Sequence, residues 1–151
     1  MSAETDLIKL YSGRILNLAA SIPNAGRLDA PDATVTKRSP LCGSTVTVDV
    51  RADDGTVCEM AQDVKACALG QASAAVVGAA APGMTLSELT EGRDALRAML
   101  KGGPVPTGAW SGFEVLEPAR DYRNRHASIL LSIEALTEAM ERAQGAASAT
   151  G

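Results

Sequence analysis

The stretch SPLCGSTVTVDVRADDGTVCEMAQDVKAC, residues 39–67, decides the fold of this chain. Within it, residues 45–50 alternate threonine or aspartate with valine, which is typical of a half-buried antiparallel strand. Residues 52–55, Ala-Asp-Asp-Gly, have the composition of a tight turn. Residues 56–64 are therefore expected to return as the partner strand, and their less regular pattern predicts a bulge. The stretch predicts a β-hairpin.

Two cysteines flank this hairpin. Cys42 precedes the first strand and is followed by Gly43, which permits a sharp turn and the close approach of a ligand. Cys67 follows the second strand, at the start of a predicted alanine-rich helix whose dipole favours a thiolate. Because the outer ends of paired antiparallel strands lie at one edge of the sheet, the two thiols are expected to meet there. This geometry suits a composite metal or sulfur site.

The composition indicates one domain. The chain has 151 residues, of which 46% are hydrophobic, enough for a single core. We expect one domain over residues 1–144 and a flexible tail of alanine, glycine and serine over residues 145–151. Only 3% of the residues are aromatic and the net charge is −4, so a surface for nucleic acid is not expected.

The cellular location and the state of the thiols are predicted from simple counts. No apolar run approaches the roughly 20 residues that span a bilayer, and residues 1–6 carry acids where a secretory signal carries bases. We therefore expect a cytoplasmic protein that does not bind membranes. Its three cysteines, an odd number, are expected to stay reduced, as ligands, nucleophiles or core residues.

Helical patterns surround the hairpin. Apolar residues recur at helical spacing over residues 5–20, 68–77, 85–100 and 127–140. The third of these segments opens with a capping-box pattern of threonine and glutamate. A short first strand is predicted around Val35, and an ordered loop over residues 104–112, which are rich in proline and glycine. The order of elements indicates an α+β fold.

A third candidate for the site is His126, the only histidine in the chain. It lies at the start of the C-terminal helix and offers a neutral imidazole as a ligand beside Cys42 and Cys67. The spacing of the three residues matches no zinc finger, so by spacing alone they are better explained as ordinary core or surface residues. Each nevertheless stands at the boundary of an element, where functional side chains are commonly presented.

Other residues near these candidates have plainer interpretations. Cys58 lies inside the return strand and is expected to be a partly buried residue without a role, although a resolving thiol is the alternative. Arg120, Arg123 and Arg125 precede His126. They are either solvated charges or a cationic surround that favours a thiolate or an acidic partner.

Several motifs, taken in order, resemble those of one family. Residues 22–28 are similar to its Pro-Arg-Asn-x-Gly turn, residues 39–43 to its Asn-Pro-x-Cys-Gly-Asp loop, and residues 66–74 to its Gly-Cys-x-x-x-x-Ala-Ser stretch. Over almost its whole length, the chain resembles the U-type iron-sulfur cluster assembly scaffolds: IscU, SufU and the N-terminal domain of NifU. The resemblance implies a small three-stranded antiparallel sheet packed against several helices.

The resemblance also implies a ligand site of three cysteines and an aspartate at one end of the sheet. Cys42 and Cys67 match two of the cysteines. Ser44, a poorer ligand at neutral pH, stands where the family has the aspartate. His126 takes the third cysteine position if residues 123–127 match the family's Arg-x-Lys-Cys-Ala. A shifted register matches the His-Cys pair of IscU to His126 and the alanine after it, which leaves the thiol missing. In both registers His126 is the expected third ligand, with Ser44 or a water as the fourth.

The function implied is that of a scaffold or sulfur acceptor in iron-sulfur cluster assembly, and not that of an enzyme. Cys42, Cys67 and His126 would hold iron or a transient iron-sulfur cluster, or one of the cysteines would accept sulfane sulfur from a cysteine desulfurase. Cluster-accepting apo-proteins would be further partners, and the chain would be a monomer or a weak homodimer. The alternatives are a zinc-dependent persulfide transferase of the SufU kind, and a diverged protein that binds zinc for stability alone.

Overall fold

The computed structural model describes residues 13–40 and 43–150, except for the side chains of residues 146–150. Its elements are helix α1 (Gly13–Ala20), strands β1 (Ala33–Arg38), β2 (Thr45–Asp53) and β3 (Thr56–Lys65), helices α2 (Ala68–Ala80) and α3 (Leu86–Leu100), 3₁₀ turns over Gly108–Asp121, and helix α4 (Arg123–Thr150). The predicted α+β fold is confirmed. Residues 5–12 of the first predicted helix lie outside the described residues, and the predicted mobility of the tail stays a prediction.

Strands β2 and β3 form the predicted hairpin. They are antiparallel, and the turn between them places Asp54 and Gly55 at φ 52° and 79°, the left-handed pair that suits the twist of a hairpin. The predicted bulge is present: Arg51 pairs with Glu59 and the next residue of β2 pairs with Val57, so Cys58 is the extra, unpaired residue of β3. The Cys58 side chain is exposed, so the prediction that it is partly buried was wrong.

The three-stranded sheet buries one face against helix α4. Strand β1 pairs with the free side of β2, which gives the order β1-β2-β3. Val46, Val48 and Val50 of β2 are buried, as their alternation predicts, and α4 packs across β1 and β2. Helices α2 and α3 pack on α4 in turn. The apolar stripe predicted over residues 127–140 therefore forms the centre of the core.

Asp49, in the central strand β2, forms hydrogen bonds to the loop that precedes β1. It lies between the buried valines of β2 and is itself fully buried. Its carboxylate accepts hydrogen bonds from Arg27 Nε at 2.6 Å, Thr34 Oγ1 at 2.6 Å and the backbone N–H of Leu28 at 3.0 Å. Burial alone would raise the pKa of Asp49, but these hydrogen bonds and the Arg27 charge hold its pKa below the usual range.

The Gly108–Asp121 segment packs against α3 through the single tryptophan. Trp110 donates from Nε1 to the carbonyl oxygen of Glu88 at 3.1 Å and stacks on Phe113 with ring centroids 5.4 Å apart. These contacts order the segment as 3₁₀ turns from Gly108 onward, so only the start of the predicted 104–112 loop is irregular. Among the described helices, none is long and apolar enough to cross a membrane.

Candidate functional site

The hairpin brings residue 44 and residue 67 to one edge of the sheet. Thr45, the first residue of β2, pairs with Lys65, the last residue of β3. The loop before β2 is closed by two backbone hydrogen bonds, from Ser39 N to Ser44 O at 2.8 Å and from Gly43 N to Ser39 O at 3.0 Å. Ser44 is therefore held where β3 passes into α2. Cys42 lies outside the described residues, so its meeting with Cys67 stays a prediction.

Cys67 is the residue immediately before helix α2. Its backbone is extended (φ −66°, ψ 169°) and its carbonyl oxygen accepts the first helical hydrogen bond, from Gln71 N at 2.9 Å. The thiol makes no capping hydrogen bond to the backbone, is partly exposed, and forms no disulfide. The side chain is thus presented at the surface by a rigid helix terminus.

Ser128 of helix α4 is the neighbour of the Cys67 thiol. Its Oγ atom lies 3.5 Å from Cys67 Sγ and donates a hydrogen bond to Ser44 Oγ at 2.9 Å. Ser44 is 5% exposed and Ser128 1% exposed. Three separate elements, the loop before β2, the start of α2 and the second turn of α4, therefore contribute one side chain each. We call these three residues the Cys67 cluster.

Gly70 is what allows α4 to approach Cys67 so closely. A Cβ atom at position 70 would lie 2.7 Å from Ser128 Oγ and 3.2 Å from the Ser128 carbonyl oxygen. It would also lie 2.8 Å from the Cβ atom of Ala66. Such contacts are shorter than packed side chains tolerate, so only glycine fits between α2 and α4 at this point.

The His126 side chain contacts the end of the 3₁₀ turns and not Cys67. Its Nε2 atom lies 3.1 Å from the carbonyl oxygens of both Ala119 and Arg120, at the end of the 3₁₀ turns. Residues two apart on a helix project to different sides, so a helix that turns Ser128 toward Cys67 turns His126 away. Ser128 is thus the described α4 residue in contact with the Cys67 thiol, and the role of His126 as third ligand stays a prediction.

The basic residues near His126 lie on the same side of the molecule as His126 itself. Arg120 and Arg123 line a pocket with Lys101, Asp121 and His126, next to the end of α3. In the described part of the chain, no hydrogen bond or ion pair joins these arginine side chains to the Cys67 cluster. They therefore form a mixed, solvated pocket on the His126 side.

Sequence reasoning missed Ser128 because its residue type carries no signal of metal or sulfur chemistry. The family motif Arg-x-Lys-Cys resembles residues 123–126, with His126 at the cysteine position. Residues 125–128 share only the arginine of that motif, so a motif comparison does not single out Ser128.

Comparison with known proteins assigns the family. The sequence model of the family described as the NifU-like N-terminal domain matches residues 10–127. The chain belongs to this family, and its resemblance to the U-type iron-sulfur cluster assembly scaffolds is confirmed. A Thermotoga maritima protein named iron-sulfur cluster assembly scaffold protein IscU is 26% identical over 135 residues, which cover 88% of this chain and 94% of that protein.

Solved structures of other proteins have the same fold as this chain. A nitrogen-fixing NifU-like protein (N-terminal) from Brucella abortus superimposes with a TM-score of 0.90 at 43% identity, covering 93% of this chain and 98% of its own. A structure described as a scaffold protein for the SUF system, from Fervidobacterium islandicum, has a TM-score of 0.81 at 20% identity and covers 88% of this chain and 98% of its own. At that identity the likeness is one of fold alone.

The Cys67 cluster does not fit a resident metal ion. Protein sites for zinc use thiolates, imidazoles and carboxylates, and this cluster offers one thiol and two hydroxyls. Neutral hydroxyls are weak ligands compared with thiolates, imidazoles and carboxylates. Among the described residues, no three histidine, cysteine, aspartate or glutamate side chains come together in a way that could hold a metal ion.

Proposed function

We propose that this protein acts in iron-sulfur cluster assembly as a sulfur acceptor, with Cys67 as the residue that carries the sulfur. One observation supports the proposal: among the described residues, the Cys67 thiol is partly exposed and its two neighbours in the Cys67 cluster are hydroxyls. A single thiol suffices to carry a sulfane sulfur atom, whereas a metal or cluster requires several thiolates or carboxylates.

The transfer needs no oxidant and no metal. The thiolate of Cys67 attacks the outer sulfur of a cysteine persulfide on the donor protein. A sulfur–sulfur bond forms at Cys67 while the bond in the donor breaks, and the donor cysteine leaves as a thiolate. The sulfane sulfur keeps its oxidation level, so Cys67 ends as a persulfide and the donor is ready for another cycle.

A second candidate is that the protein holds an iron-sulfur cluster, transiently, as a scaffold. Its family and the name of its Thermotoga maritima relative favour this function. Cys42 and Cys67 would then supply two thiolates, and the remaining ligands would come from His126, Ser44, Ser128 or a bound partner. The hydroxyls at positions 44 and 128 make this candidate the weaker one.

The partners follow from the proposed function. A cysteine desulfurase would supply the sulfur, and a protein that builds or receives the cluster would accept it. The placement of Cys67 before α2, with its thiol partly exposed, allows a donor persulfide to reach it. We further propose that the protein works in the cytoplasm, as its composition predicts, and that it is a monomer or weak homodimer, as the family resemblance implies.

The test is to locate the transferred sulfur. The metal-free protein is incubated anaerobically with a cysteine desulfurase and L-cysteine, and in parallel with glutathione persulfide, and the cysteine peptides are mapped by mass spectrometry. We expect one added sulfur atom on Cys67. Cys67→Ser should abolish the product, and Cys58→Ser, which removes the exposed thiol in the bulge of β3, should not.

Two outcomes would overturn the proposal. Sulfur found on Cys42 alone, with Cys67 unmodified, would move the acceptor to the other cysteine. A protein that takes no sulfur from either donor, but develops the absorption of a cluster after anaerobic addition of iron and sulfide, would favour the scaffold candidate.

A further inference from the structure

A row of three residues crosses the sheet at the edge that carries the Cys67 cluster. Arg38, the last residue of β1, pairs with Thr45, and Thr45 pairs with Lys65, the last residue of β3. Residues that pair directly across antiparallel strands share one face of the sheet. Because Val46 of β2 is buried in the core, this row lies on the opposite face. We call Arg38 and Lys65 the edge cations.

Both edge cations are exposed and lie close to the site. Lys65 is two residues before Cys67, so their Cα atoms are at most about 7 Å apart. Arg38 precedes Ser39, whose backbone N–H donates to the Ser44 carbonyl oxygen. Because neighbouring strands are about 5 Å apart, the Cα atoms of the two cations are separated by about 10 Å. The sheet edge next to the Cys67 thiol therefore carries two positive charges.

The edge cations form no ion pair within the described part of the chain. The carboxylates of the next two rows on this face, Asp49 and Asp63, are associated with Arg27 instead. Asp49 accepts hydrogen bonds from Arg27, and both carboxylates raise the pKa of Arg27. The net charge of the whole chain is −4, so this positive edge is a local feature of the surface beside the site.

We propose that the edge cations receive the sulfur donor, by binding acidic residues that surround its persulfide cysteine. This inference rests on the proposed function, because it describes the surface on which that donor docks. Opposite charges speed the formation of an interface and orient the partners, whereas two cations facing a basic partner would repel it. The donor cysteine leaves as a thiolate, a negative charge that Lys65 also attracts.

The charge beside Cys67 can be measured without sulfur transfer. Cys67 is alkylated at low salt with anionic iodoacetate and with neutral iodoacetamide, and both rates are read from its peptide. The ratio of the two rates cancels the thiolate fraction and reports the local potential. One unit charge about 7 Å away changes such a ratio by about threefold in water, so Lys65→Glu should lower it by roughly sevenfold. At about 1 M salt, most of this difference should disappear.

Arg142→Glu is the matched control for this measurement. It makes the same change of charge on an exposed side chain, at a position about 21 Å along α4 from Ser128. Because the Coulomb energy falls with distance, this variant should change the alkylation ratio by less than about twofold.

Docking is tested with two synthetic donor peptides, each with one cysteine persulfide, flanked by glutamates in one peptide and by lysines in the other. Each rate of transfer to Cys67 is divided by the rate of transfer to 2-mercaptoethanol, which corrects for the reactivity of the peptide itself. We expect the wild type to prefer the glutamate peptide by at least about tenfold at low salt, and Arg38→Glu/Lys65→Glu to prefer the lysine peptide. Thermal unfolding verifies that each variant is folded.

Either measurement can contradict the proposal. If Lys65→Glu changed the alkylation ratio no more than Arg142→Glu does, no positive edge would act on Cys67. If the wild type did not distinguish the peptides, or the double variant kept the wild-type preference, the edge cations would not select the donor. Failure of the proposed function has a different signature: neither peptide would leave a persulfide on wild-type Cys67, and the docking of a sulfur donor would fall with it.

Discussion

The Oγ atom of Ser128 lies 3.5 Å from the Sγ atom of Cys67, across 61 residues of sequence. The contact joins the second turn of α4 to the start of α2. Ser128 Oγ also donates a hydrogen bond to Ser44. It defines the candidate site as one thiol with two hydroxyl neighbours.

The first prediction concerns Gly70, which allows α2 and α4 to approach closely at the site. Gly70→Ala should lower the free energy of unfolding by about 1–3 kcal/mol, because the added methyl group would overlap Ser128 and Ala66. It should also raise the alkylation rate of Cys67, measured on its peptide, because Ser128 is pushed away. Urea unfolding and mass spectrometry provide the two measurements.

Gly13→Ala is the matched control for this change. Gly13 is also helical, but nothing lies within 4 Å of a Cβ atom added there. Alanine in its place should leave stability unchanged or raise it by up to about 1 kcal/mol. If the Gly70 and Gly13 variants behaved alike, the close approach of α4 to Cys67 would be refuted.

The second prediction separates His126 from the site. His126→Ala should leave persulfide loading of Cys67 unchanged, because the His126 ring contacts the carbonyl oxygens of Ala119 and Arg120. It should cost about 0.5–1.5 kcal/mol of stability through the lost hydrogen bond. Thermal unfolding and peptide mapping measure the two effects. A folded His126→Ala protein that no longer accepts sulfur would return His126 to the site.

The third prediction concerns Asp49 and acid. The pKa of Asp49 is lowered in the folded protein by hydrogen bonds and by the Arg27 charge. As the pH falls toward about 3.9, the ordinary pKa of aspartate, the folded chain therefore binds fewer protons than the unfolded chain. The stabilisation from Asp49 is therefore complete above that pH and is lost as the pH falls through the lowered pKa. Unfolding free energies measured from neutral to acidic pH should show this loss.

Asp49→Asn should remove that contribution. We expect it to lower stability at pH 7 by about 1.5–3 kcal/mol, the range for hydrogen bonds to a charged group, and to flatten the acid dependence. Asp53→Asn, at the exposed end of the same strand, is the control and should do neither. Parallel acid profiles for wild type and Asp49→Asn would show that Asp49 is not the group responsible.

The fourth prediction concerns Gly92 and the single tryptophan. A Cβ atom at position 92 would lie 2.6 Å from Trp110 Nε1, so Gly92→Ala should displace the ring and break its hydrogen bond to Glu88. We expect a loss of about 1–3 kcal/mol and a red shift of the fluorescence, since Trp110 is only 6% exposed. An unchanged emission maximum in a folded variant would disprove this packing.

Much of the fold followed from local chemistry in the sequence. The alternation of residues 45–50 and the Asp-Asp-Gly turn predicted the hairpin, because a strand with one buried face has a period of two. Thr85 and Glu88 predicted the start of α3, and both arms of the capping box are present at 3.2 Å. These features depend on neighbours in sequence, which a pattern can reveal.

The site was less predictable because it depends on contacts between distant segments. Ser128 meets Cys67 only because Gly70 lets α4 approach and because the buried face of α4 sets its rotation. A serine also lacks the chemical signal that drew attention to His126. Similarly, the exposure of Cys58 depends on the position of the bulge, which the sequence placed only within the return strand.

Native mass spectrometry of the intact protein tests the central claim most directly. The reduced protein is incubated anaerobically with a cysteine desulfurase, L-cysteine and equimolar zinc and iron, and is then measured without denaturation. We predict a metal-free species that carries one additional sulfur atom and disappears in the Cys67→Ser variant. A stoichiometric zinc adduct or an iron-sulfur cluster on the wild-type chain, without a persulfide, would contradict the account.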